Sequence, residues 1–139
     1  MFLGNLLKSI RKRYQKIPTE GICFDSRKIK KKDIFFAIKG NQTSGTKYIE
    51  EVISKGASAI VSNKRVKIKN QQVPFILVKD ARKSLSEACS NFYKKKPLNI
   101  IAVTGTNGKS SVADFFCQIL NFNKISVASI GTLGIFFNK

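Results

Sequence analysis

The residues best suited to chemistry are concentrated in Thr104-Gly105-Thr106-Asn107-Gly108-Lys109-Ser110-Ser111. Two glycines allow a tight turn whose backbone N–H groups point inward, where they can surround phosphate oxygens. Lys109 offers a cation to β- and γ-phosphates, and the Ser110 hydroxyl is the kind of group that ligates Mg2+ in such loops. Gly105, Thr106, Asn107, Gly108, Lys109, Ser110 and Ser111 are therefore the candidate residues for ATP. Lys109 alone among them is a candidate for direct participation in chemistry. The fuller phosphate-loop pattern has one more glycine, five residues before the Gly-Lys pair, and Val103 stands there. A second reading stays open: a Gly-rich strand-to-helix turn with a capping serine and an ordinary surface lysine.

Such a loop needs a strand before it and a helix after it. Residues 99–103 form a short apolar run with two Ile and a Val, which predicts a buried strand. Val112, Phe115, Phe116, Ile119 and Leu120 recur at helical spacing and predict a helix over 110–121. The N-terminus of that helix would add favourable potential for an anion. A further strand is predicted over 125–130, running into Gly131-Thr132-Leu133-Gly134.

Strands alternate with helices upstream as well. Strands are predicted over 21–24, 33–38, 59–62 and 75–78. Helices are predicted over 48–55, with Gly56 as C-cap, and over 81–93, with Leu85, Ala88, Cys89 and Phe92 inward. Residues 1–16 carry Leu3, Leu6, Leu7, Ile10 and Tyr14 at helical spacing and read as an amphipathic helix packed on the domain. Residues 63–72 read as a polar surface loop. The pattern is α/β. A boundary near the Lys94–Pro97 linker separates a small Rossmann-like domain, 1–96, from a second unit, 97–139. That unit holds too few elements to cover both faces of a sheet, and the reading expects it to be the incomplete start of an ATP-binding domain.

Composition narrows the class. With 139 residues and 42% hydrophobic content, the chain can build a core. No apolar run reaches membrane-span length. Its start lacks the order of a secretion signal, because basic residues follow the apolar ones. Three scattered cysteines and no histidine argue against a disulfide scaffold or zinc site and fit a reducing cytoplasm. Without histidine there is no His-based catalysis in this stretch. The net charge of +18 comes from lysines and arginines spread along the chain. Diffuse charge supports non-specific binding, so no specific nucleic-acid partner is expected. It also suits a polyanionic small substrate.

Five segments in register carry a resemblance: DSR at 25–27, DIFFAIKG at 33–40, SGTKYIEEVISKGASAIV at 44–61, TGTNGKSS at 104–111 and IGTLG at 130–134. The chain resembles the start of a Mur ligase, in particular the ligases that add the third amino acid in peptidoglycan synthesis. The resemblance implies a uridine-nucleotide-binding first domain, a central ATPase domain, and a C-terminal domain for the incoming amino acid. The first would lie at 1–96, only the opening of the second would follow, and the third would lie outside this sequence. It implies ATP and Mg2+ at the loop and UDP-N-acetylmuramoyl-L-alanyl-D-glutamate as substrate. Phe24, Ser26, Asn41, Gln42 and Thr43 would contact that substrate. From residue type alone, Ser26 and Asn41 could equally cap turns. The implied reaction is ATP-dependent amide-bond formation with diaminopimelate or lysine. The 139 residues alone are expected to be inactive. Family members usually have Thr at the positions of Ser110 and Ser111, and an acidic residue is common where Ser44 stands. The ligase that adds D-alanyl-D-alanine, and a nucleotide-binding module without turnover, are the alternative readings.

Overall fold

The computed structural model describes residues 1–8, 10–40, 43–69, 72–132 and 134–137. They form two compact units, Met1–Lys96 and Pro97–Lys139.

The first unit is built on a four-stranded sheet of β1 (Gly21–Cys23), β2 (Asp33–Ala37), β3 (Ala59–Ser62) and β4 (Phe75–Leu77). The strands lie side by side in sequence order, and every pair is parallel. Ile34 pairs with Ala59, and Ile60 with Phe75. A central parallel strand must bury both faces, and β2 does so along its whole length. Its side chains alternate between two cores. Ile34 and Phe36 join Leu3, Leu6, Leu7, Ala59, Val61, Ile76 and Ala88 on one face. Phe35 and Ala37 join Ile49, Val52, Ile53, Ala57 and Ile60 on the other. Each fully buried large apolar side chain contributes about 1.5–3 kcal/mol relative to exposure.

Helix α2 (Ile49–Ser54), preceded by a 3-10 turn over Gly45–Tyr48, covers the second face. It stops where Gly56 takes φ +88°, the left-handed conformation that ends helices at low cost for glycine. The loop after β3 also helps, because Val66, Ile68 and Val73 pack on this core. The expected polar surface loop is thus half structural. Helix α3 (Ala81–Phe92) covers the first face with Leu85, Ala88 and Phe92.

The opening segment departs from expectation. Its leucines do face the core, but helix α1 is one turn, Leu3–Leu6, and a separate 3-10 turn spans Lys12–Tyr14. Backbone bonds explain the break. The N–H groups of Leu3 and Gly4 donate to Ile17 O and Gln15 O, and Thr19 N–H donates to Met1 O. The chain doubles back on itself and spends those groups across the turn instead of along a long helix.

In the second unit, α4 (Lys109–Phe122) forms close to the expected range. Residues 99–103 form no strand, contrary to expectation. A strand exists only as part of a ladder, and among the described residues nothing pairs with this run. Ile100 and Ile101 stand open to solvent. Downstream, β5 (Ala128–Gly131) pairs antiparallel with β6 (Gly134–Phe137) as a hairpin. The sequence pattern signalled β5 but not its partner.

Candidate functional site

Two groups of candidate residues fall in different units, and each has its own geometry. The first group is the loop ahead of α4. Gly108, at φ +74°, is the residue immediately before the helix, and an added Cβ would meet nothing within 4 Å. Backbone conformation, not space, calls for glycine there. The Lys109 side chain folds back over the turn. Its ammonium donates to Gly105 O at 2.5 Å and Thr106 O at 2.9 Å. An ammonium carries three hydrogens, so the same group that closes the loop keeps a donor for a ligand.

The first bond of the helical ladder runs from Val112 N–H to Gly108 O. The N–H groups of Lys109, Ser110 and Ser111 therefore precede it and are free of the helix. No acid sits in the first turn, and no side chain caps it. Ser110 and Ser111 are exposed beside these N–H groups. Amides, ammonium and hydroxyls form a donor set suited to a polyphosphate. Among the described residues no cluster of His, Cys, Asp or Glu could hold a metal by itself. A magnesium ion would rest on the Ser110 hydroxyl, phosphate oxygens and water, a set that matches its chemistry. The structure thus places Gly105 to Gly108 in the turn and Lys109 to Ser111 in the first turn of the helix that follows it.

The second group lies at the carboxyl end of the parallel sheet, the side on which open α/β sheets bind ligands. β1 runs directly into Phe24-Asp25-Ser26-Arg27. Arg27 grips Asp25 with Nε at 2.9 Å and Nη2 at 2.8 Å, and its backbone N–H donates to Oδ1 at 3.1 Å. These bonds from Arg27 hold the Asp25 carboxyl down to about 2. The Cys23 thiol donates to Asp25 O at 3.1 Å, and burial pushes its pKa up. Within this turn Phe24 is 59% exposed while Ser26 is buried.

Thr43 sits in the loop after the neighbouring strand β2. Gly40 N–H donates to Thr43 O, and Gly45 N–H to Ile38 O, which closes the loop like a narrow hairpin. Asn41 and Gln42 lie outside the described residues. Phe24, Ser26 and Thr43 thus follow the ends of adjacent strands. Three supporting residues escaped the sequence reading. Lys55 of α2 donates to Ser26 O at 3.0 Å. Arg82 of α3 donates to Lys39 O at 2.8 Å, fixing the base of the second loop. Asp80 caps α3 by accepting from Arg82 N–H and Lys83 N–H. The cap was legible as an Asp just before a helical run. The reaches of Lys55 and Arg82 join residues far apart in sequence and left no local signal.

Residues 18–93 match the family model described as Mur ligase family, catalytic domain. This chain belongs to the Mur ligase family. Curated relatives agree. A UDP-N-acetylmuramoyl-L-alanyl-D-glutamate--2,6-diaminopimelate ligase from Rickettsia montanensis is 42% identical over 127 residues, covering 91% of this chain and 26% of the relative. The ligase of the same name from Clostridium tetani is 46% identical over 121 residues, covering 84% and 25%. A solved structure of a ligase of that name superposes with a TM-score of 0.77 at 26% identity, over 99% of this chain and 28% of the other. The MurF ligase from Thermotoga maritima, solved in complex with ADP, shares the fold with a TM-score of 0.65 at 24% identity, over 82% and 26%. The chain spans about a quarter of the length of the Mur ligases it matches.

Proposed function

We propose that these residues are the nucleotide-recognising front part of a Mur ligase that joins diaminopimelate to UDP-N-acetylmuramoyl-L-alanyl-D-glutamate, using ATP. The likeness to diaminopimelate ligases over nine-tenths of the chain carries this reading. The loop geometry at Gly105–Ser111 supports it independently, because its donors suit a triphosphate. Residues 1–96 form the domain for the uridine nucleotide, and residues 97–139 open the ATP domain.

In the first unit, Phe24 offers an exposed aromatic face, and Ser26 and Thr43 offer hydroxyls at adjacent strand ends. Asn41 and Gln42 complete the set with amides. Such groups can stack on a uracil and hydrogen-bond its edge and the ribose. In the second unit, Lys109 and the free amides of α4 hold the β- and γ-phosphates in place. The D-glutamyl carboxylate attacks the γ-phosphorus, the bond to the β-phosphate oxygen breaks, and ADP leaves. The diaminopimelate amine then attacks the acyl phosphate, and inorganic phosphate departs with formation of the amide. Lys109 and the amides contribute by positioning and by offsetting charge on the transferring group. Magnesium, when bound beside Ser110, supplies further charge neutralisation at the phosphates. Unpaired cysteines and a nucleotide-linked substrate fit a cytoplasmic setting.

Two titrations test this. Mg-ATP added to the 139-residue chain should perturb amide resonances of residues 105–111. UDP should perturb Phe24, Ser26 and Thr43. Perturbations confined to scattered lysines and abolished by moderate salt would reject the reading.

A further inference from the structure

The free edge of β4 is the second surface of interest, and it plays no part in the nucleotide chemistry. Pro74 O accepts from Ile60 N–H, and Val78 N–H donates to Ser62 O, so these residues face β3. Backbone groups alternate sides along a strand. The N–H and C=O groups of Phe75 and Leu77 therefore face outward, on the last strand of the sheet. Beside them lies a groove of about 400 Å3, whose lining includes Arg11, Arg13, Tyr14 and Arg65 together with Phe75 and Leu77. Among the described residues its lining holds three arginines and no carboxylate. The ion pairs among the described residues use Arg27, Lys32 and Lys55, so all three groove arginines stand outside them. Arg13 lies over the Tyr14 ring at 4.6 Å, which holds its guanidinium along the groove wall. Leu77 is 53% exposed and gives the floor an apolar step.

We propose that this edge is a docking site for an acidic, extended peptide segment of another protein, which adds as a strand beside β4. The outward backbone groups of Phe75 and Leu77 would pair with the segment, and Arg11, Arg13 and Arg65 would bind its carboxylates. Charge decides the occupant. A second copy of this chain would bring its own three arginines against these, and like charges in facing strands repel. An acidic strand meets the same arginines with attraction.

The test uses the 139-residue chain and a labelled ten-residue peptide of alternating Glu and Val. Saturable binding in the range of tens of micromolar is expected, as for a short strand addition. Leu77→Pro removes one outward N–H and leaves the bonds to β3 in place, so it should weaken binding about ten-fold. Arg11→Ser combined with Arg65→Ser should weaken it at least as much. Amide spectra of each variant verify that the fold is kept, and Phe75→Pro serves as a second edge variant if Leu77→Pro does not fold. A peptide of the same composition with proline at alternate positions should not bind. Equal binding of that peptide, or no effect of either edge proline, would show mere charge attraction and overturn the proposal. Tighter binding of a single-stranded RNA of equal charge, insensitive to the edge prolines, would overturn it in favour of nucleic acid.

Discussion

The Lys55 ammonium of helix α2 reaches the backbone oxygen of Ser26 at 3.0 Å, while Glu51, one helical turn earlier, holds the same ammonium at 2.5 Å. The turn that carries Phe24 and Ser26, between β1 and β2, is thus tied to the end of the helix that connects β2 to β3. A hydroxyl positioned in this way loses less freedom when a ligand binds. Lys55→Met should weaken UDP binding about five-fold, roughly 1 kcal/mol for one partly solvated charged hydrogen bond. Lys55→Arg should restore part of it. Isothermal titration with UDP measures both; an unchanged affinity in Lys55→Met would mean that the turn holds its shape unaided.

Lys109→Ala should lower Mg-ATP affinity by at least ~2 kcal/mol, because it removes the cation proposed to meet the phosphates. It also removes the bonds to Gly105 O and Thr106 O that close the loop. Ser110→Ala, which keeps the loop closed, should spare binding of ATP in EDTA but blunt the gain from magnesium. Fluorescent-nucleotide titrations with and without magnesium separate the two effects.

The Asp25–Arg27 pair sets a pH limit on the turn that follows β1. The Asp25 carboxyl titrates at about 2 in the folded chain because Arg27 bonds the charged form. In an unfolded chain an aspartate titrates near ~3.9. A lowered folded value stabilises the turn above the unfolded one, and the gain is lost as pH falls from about 4 toward about 2. Carbon-13 shifts of the Asp25 carboxyl should show a midpoint near 2, moving up toward the unfolded value in Arg27→Leu. A midpoint that ignores Arg27→Leu would assign the shift to another cause.

Gly21 leaves room for a buried carboxylate. An added Cβ would lie 2.3 Å from Asp33 Oδ1, and the other oxygen of Asp33 already accepts from Lys30 N–H. Gly21→Ala should cost about 1–3 kcal/mol, the usual range for overpacking. Because the clash is with one side chain, Gly21→Ala and Asp33→Ala should be strongly non-additive. Urea denaturation of the two single variants and the double variant closes the cycle.

How far the fold was legible follows from where its information lies. Residues 59–62 and 81–92 announced themselves, because a short apolar run after a capping glycine and a helical stripe after Asp80 are local signals. The candidate loop at residues 105–111 could be singled out for the same reason: its glycines, lysine and serines fall within seven residues. The opening helix was misread because burial and helicity share a spacing. Leu3, Leu6 and Leu7 are buried as the pattern required, yet Gly4 lies against Gln15 and bonds to it, which no periodicity reveals. Residues 99–103 have strand composition but no partner strand among the described residues, and pairing is a property of two segments. The supports of the candidate site, Lys55 and Arg82, were invisible for that reason too.

The sequence-ordered sheet has a consequence for how the first unit comes into being. β1 pairs with β2, β2 with β3 and β3 with β4, so each strand docks on the one made just before it. On a ribosome, every new strand would find its template already exposed, and no early segment need wait for a late one to complete the sheet. Among the described residues the side-chain hydrogen bond of greatest sequence separation comes last, when Asn91 at the end of α3 donates its side-chain amide to Leu6 O at 2.9 Å. That bond ties the end of the last helix of the unit to its opening turn, so the sheet can grow vectorially while the layer over its first face is sealed only as α3 arrives.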